Sequence, residues 1–160
     1  EKCCAKTENE KKDQEAPTLA SLMGFGGLIP FLVCAGEAHS GVAPWNVLAV
    51  MACGVYGSVI LSFVGAVHWG LAMRGDRDPH WFIWSVMPAI YAWLPTLVLD
   101  PGLTLIALVP GFFLSWWVDY RAWRDGLLPD WYMQLRHILT LGASMALTAG
   151  SLAVPANIHG

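Results

Sequence analysis

Between Ala52 and Met73 the chain runs ACGVYGSVILSFVGAVHWGLAM without one acidic or strongly basic side chain. A run this long and this apolar is about what a helix needs to cross a bilayer, and it is too greasy for a helix surrounded by water. Within it a small residue recurs every fourth position, at Gly54, Ser58, Ser62, Ala66 and Gly70. Helices gain nothing hydrophobic by meeting inside lipid, so they associate where small side chains let backbones approach and where polar groups bond across. The stretch therefore reads as the central helix of a membrane bundle, with the five small residues as its packing ridge.

The rest of the chain reads in the same terms. Of its 160 residues 56% are hydrophobic and 13% charged, which leaves room for one compact unit and no separate soluble domain. The expected fold is all-α, an integral membrane bundle of five transmembrane helices over about 18–37, 45–73, 80–99, 102–118 and 134–154. A polar, flexible tail is expected at 1–17, the membrane domain at 18–155 and a short tail at 156–160. Thr18 after Pro17 is a potential cap for the first span. Pro30 should bend the first span and free a carbonyl for a neighbouring helix to satisfy, and Pro88 and Pro95 should kink the third. Asp78 with Pro79, and Asp100 with Pro101, have the order of an N-cap followed by a first-turn proline. A second ladder, Gly142, Ala146 and Gly150, makes the fifth helix the expected partner of the central ridge.

Charge gives the bundle an orientation. With five spans all nine basic residues, Lys2, Lys6, Lys11, Lys12, Arg74, Arg77, Arg121, Arg124 and Arg136, fall on one side and none on the other. That split obeys the positive-inside rule and places the N-terminus on the cytoplasmic, matrix or stromal side. Trp69, Trp81, Trp84, Trp116, Trp117, Trp123 and Trp131 gather towards the same side, and Trp45 marks the other. The chain opens at Glu1 and not at Met, which fits either a removed targeting segment, natural for an organellar protein, or a trimmed chain.

Motifs that carry chemistry are scarce. There is no phosphate-cradling glycine loop, no metal-ligand spacing of Cys and His and no pair of helix-borne carboxylates. Cys3 and Cys4 read as surface thiols, and Cys34 and Cys53 as small apolar ones unlikely by depth to be bridged. Asp119 lies nearest to an intramembrane charge and has no basic partner on its own helix, so Arg136 or Arg74 must supply one; a structural ion pair docking the fourth and fifth helices is the expected role. Arg121 and Asp125, four residues apart, are set to pair weakly at the helix end. His68, His80 and His137 share one side, and a facing pair such as His68 with His137 could hold haem, or one of them a chlorophyll magnesium; ordinary hydrogen bonding is the expectation and no cofactor is predicted beyond bound lipid. Tyr56, Ser58 and Ser62 read as interhelical hydrogen-bond donors, because no base stands near the serines.

Three segments, GLIPF at 27–31, YGSVILSFVGAVHWGLAM at 56–73 and DYRAWRDGLLPDWYMQLRHILT at 119–140, together resemble a family of small bacterial and mitochondrial membrane proteins. That family is catalogued as domain of unknown function 3429 and includes transmembrane protein 69. The resemblance covers roughly residues 20–150 and implies a five-helix membrane protein, mitochondrial in eukaryotes, with no catalytic residues to carry over.

The function expected is that of a non-catalytic accessory or assembly subunit of an energy-transducing, respiratory-chain complex. It would sit in the mitochondrial inner membrane among other membrane subunits and lipids, with no nucleic-acid partner. Two alternatives are a small carrier, channel or membrane enzyme with a polar cavity around Asp119, Arg136 and His68, and an accessory subunit of a photosystem in the plastid thylakoid membrane. The absence of an inverted repeat between the halves weighs against a secondary transporter.

Overall fold

In the computed structural model residues 2–73 and 80–154 are described, with side chains from Pro17 onward, and the chain forms five helices. These are α1 (Lys2–Ala38), α2 (Trp45–Ala72), α3 (His80–Val98), α4 (Pro101–Arg124) and α5 (Asp130–Leu152). Four of them, α1 through its Pro17–Ala38 portion, α2, α3 and α4, are long and apolar enough to cross a membrane. The backbone of the polar segment before Pro17, expected as a tail, is helical and continuous with α1. Its Ala, Glu, Lys and Gln residues are all strong helix formers. The helix consequently passes through Thr18 instead of beginning there. The Asp78–Pro79 cap, Arg74, the side chains of Cys3 and Cys4 and the tail at 156–160 lie outside what is described.

Among the described residues α2 alone packs against all four other helices, with α3, α4, α5 and α1 arranged in that order around it. Helices α1 and α3 do not meet, so one face of α2 lies open between them. The core at the centre joins Phe31, Val50, Cys53, Leu61, Leu105, Leu108, Phe112, Ala143 and Leu147. Cys34 packs against the same cluster that contains Cys53, and both thiols are free.

The buried stripe of α2 is not the predicted ridge. It runs through Val50, Cys53, Gly54, Gly57, Leu61, Gly65, His68 and Ala72, while Ala66 and Gly70 are exposed. The reason is geometric: a step of four residues turns about 40° past a full turn, so four such steps carry a ladder about 160° around the helix. Accordingly Gly54 is buried, Ser58 and Ser62 are half-buried, and Ala66 and Gly70 have rotated away from the bundle. The closest approach falls one residue earlier, at Gly65, where an added Cβ would lie 2.6 Å from the Ser85 carbonyl oxygen of α3. The α5 ladder is packed, but not on the α2 ridge. Gly142 meets Leu28 of α1, Gly150 meets Leu105 of α4, and Ala146 is buried.

Prolines inside the helices show how neighbouring elements interlock. At Pro30, Pro95 and Pro110 a side chain from an adjacent helix donates to the carbonyl three residues upstream. Tyr56 Oη bonds Gly27 O at 2.9 Å, Ser58 Oγ bonds Ala92 O at 3.2 Å and Tyr91 Oη bonds Ala107 O at 2.6 Å. Around Pro88 the equivalent carbonyl, that of Ser85, faces Gly65. A kinked helix turns backbone acceptors outward, and in a bundle other helices supply the donors. Ser62 differs from its expected role, since among the described residues its hydroxyl bonds back to Ser58 O within α2.

Candidate functional site

The local chemistry of the α4–α5 hairpin sets the site. Asp100 Oδ2 accepts from Leu103 N at 3.2 Å and Pro101 follows, so α4 starts as its sequence predicts. It ends in a double-bonded αL turn: Gly126, at φ 73°, donates to Trp123 O and Leu127 N donates to Ala122 O. This Schellman arrangement needs a residue that tolerates positive φ, and glycine does. Trp123 Nε1 donates to Asp130 Oδ1 at 2.7 Å and fastens the turn. Arg121 lies over the Trp117 ring at 5.3 Å, the contact it makes in place of a pairing with Asp125. The hairpin thus lays the last turns of α4 against the first turns of α5.

Asp119 and Arg136 face each other across that contact. Arg136 Nε donates to Asp119 Oδ2 at 2.5 Å, and Tyr132 Oη reaches the same oxygen at 3.4 Å. From α2, His68 Nε2 approaches the other carboxylate oxygen to 3.1 Å, off the line of a good hydrogen bond. Arg136 Nη1 donates to Thr140 Oγ1 at 3.2 Å. Asp119 is completely buried, with His68 at 1% exposure and Arg136 at 4%, so the group is enclosed within the bundle. Trp81 of α3 stacks on the His68 ring, with centroids 5.4 Å apart and planes 3° from parallel. Three helices therefore converge on one carboxylate, and α3 backs the His68 ring.

Breaking such a pair is expensive because the surviving charge has no water to turn to. The arrangement is also incompletely satisfied. His68 Nδ1, Ser115 Oγ and Arg136 Nη2 are buried without a hydrogen-bond partner among the described residues. They border two cavities on opposite sides of the cluster. One, of about 200 Å³ between α2, α3 and α4, is lined by His68 and Ser115. The other, of about 620 Å³ between α1, α2 and α5, is lined by Arg136 and Tyr132 at one end and by apolar side chains elsewhere. Ser115 and His68 share a cavity and are not hydrogen-bonded to each other.

His68 and His137 are not brought together. His137 lies on the exposed side of α5, where its Nδ1 accepts from Trp116 Nε1 at 2.6 Å. Among the described residues no three His, Cys, Asp or Glu side chains gather in a way that could hold a metal ion. Sequence reading missed Tyr132, Thr140, Ser115 and Trp81. The first two had a signal, because Tyr132, Arg136 and Thr140 stand four residues apart on one helix face. Trp81 reads as part of the interfacial belt, and nothing in its own neighbourhood points to His68.

A family profile described as "Protein of unknown function (DUF3429)" matches residues 16–152. The chain belongs to this family. It is also 34% identical over 143 residues to Transmembrane protein 69 of Xenopus tropicalis, a match covering 87% of the chain and 55% of the relative. The chain thus spans about half the length of that member. No solved structure matches. The matched segment contains every residue of the Asp119 cluster, so the cluster belongs to the part shared with the family.

Proposed function

We propose that this multi-pass membrane protein is a non-catalytic accessory or assembly subunit of an energy-transducing complex, of the respiratory kind, in the mitochondrial inner membrane. All five helices would span, with the N-terminus on the matrix side, as the nine-to-none distribution of basic residues requires. The observation that carries the reading is how the buried ionisable groups are used: Asp119 ties α2, α4 and α5 to one another. Such an interior builds a rigid scaffold. The helix faces left open, including Val55, Val59 and Phe63 of α2 and Ile83, Trp93 and Leu97 of α3, offer apolar surface to lipid and to other membrane subunits.

The test is gentle extraction from the native membrane, separation of complexes by size and mass spectrometry of what comigrates. Comigration with a respiratory complex is expected. Comigration with a photosynthetic complex would replace the mitochondrial assignment by the thylakoid one. Migration at the size of a monomer would contradict the subunit reading.

A second reading has its own observation. Asp119, Arg136 and His68 meet between two cavities, as a small carrier, channel or membrane enzyme would place them. In that case Asp119→Asn would abolish a measurable flux with the fold intact. On the scaffold reading it weakens folding and abolishes no flux.

A further inference from the structure

The larger cavity has a shape and a chemical polarity that the scaffold role does not use. Its lining runs from Ala20 to Phe31 along α1 and from Trp131 to Ala143 along α5, which makes it about 16–18 Å long. With a volume of about 620 Å³ its mean cross-section is roughly 35 Å², and the volume is that of a small-molecule site. This is the width of a slot for a single hydrocarbon chain. Met23, Val59 and Phe63 line it and are also exposed on the outside of the bundle, so the slot opens sideways to lipid.

One end is polar. Arg136 is 4% exposed, with Nε engaged by Asp119 and Nη1 by Thr140, while Nη2 has no partner among the described residues. Asp119 bonds Nε through Oδ2 and turns its other oxygen to His68, so neither oxygen reaches Nη2. A guanidinium N–H left without an acceptor in a dry interior favours a strong one, and its hydrogen bond to a carboxylate oxygen is charge-assisted. Trp131 and Tyr132 lie at the same end, and Phe31, Tyr56 and Ala143 at the other. A ligand would place its head at the Arg136 end and its chain along the helices.

We propose that the slot between α1, α2 and α5 binds one long-chain carboxylate, a free fatty acid taken laterally from the membrane, with its carboxylate at Arg136 Nη2. This goes beyond the subunit reading and does not depend on it, since the site is complete within one chain.

The test uses the full chain purified in detergent, with oleate and its uncharged methyl ester as probes and native mass spectrometry and equilibrium binding as readouts. One oleate per chain, bound saturably and about tenfold or more tighter than the ester, is expected. Arg136→Gln should remove that preference. Val59→Trp, which blocks the lipid-facing mouth and leaves the Asp119 cluster intact, should weaken oleate binding about tenfold even if the Arg136 variant fails to fold. Equal binding of acid and ester, no saturable binding, or oleate binding indifferent to Val59→Trp would overturn the proposal.

Discussion

Gly65 shows how much one hydrogen atom in place of a methyl group decides here. Its Cα faces the Ser85 carbonyl and the Pro88 ring, a backbone atom and a ring locked to the α3 backbone, neither of which can swing aside as a flexible side-chain tip would. Gly65→Ala is therefore expected to cost about 1–3 kcal/mol, read as a lower midpoint in detergent unfolding. Its neighbour is the control. Ala66 faces outward, and Ala66→Leu should change stability by no more than about 0.5 kcal/mol. Sequence reading favoured Ala66 because it followed a strict four-residue ladder, whereas the helix repeats every 3.6 residues. Asp119 and Arg136 were legible for a different reason: a charge embedded in apolar helix stands out whatever the register. The hydroxyl of Thr140 and the ring of Trp81 carry no such mark, and only the three-dimensional arrangement connects them to the cluster.

Among elements, the prolines and the α4–α5 turn carry the most information. Both signals are local, which is why the cap at Asp100 and the interhelical bonding of the carbonyl before Pro30 could be anticipated. Which helix answers each exposed carbonyl is a matter of packing, and sequence did not specify it. Tyr91 reaches Ala107 O only because Gly111 leaves room for its ring, with ring carbons 2.6–2.8 Å from where a Cβ would sit. Removing this bond with Tyr91→Phe should destabilise α3 against α4 by about 0.6 kcal/mol, the average for interhelical hydrogen bonds in membranes. Detergent unfolding of the two proteins side by side provides the measurement. No difference at all would mean that Ala107 O is equally well satisfied without the tyrosine.

At the scale of the whole molecule, five crossings require the α1–α2 and α4–α5 connections to lie on opposite sides of the membrane. Introduced one at a time into a chain whose native cysteines have been replaced, Ser40→Cys and Leu127→Cys should react with an impermeant thiol reagent from opposite faces. Reaction from the same face would remove one crossing and leave the positive-inside pattern without its explanation. The central claim is narrower: a buried carboxylate shared by Arg136 and His68 holds the bundle together. Its most direct test is a double-mutant cycle on unfolding free energy with Asp119→Asn, Arg136→Gln and the pair. Each single change should cost about 3 kcal/mol or more, since it strands a buried charge. The double variant should cost clearly less than the sum, with a coupling of about 2 kcal/mol. Single changes that add to within about 0.5 kcal/mol would show that the two side chains lie close without supporting each other, and would contradict the account.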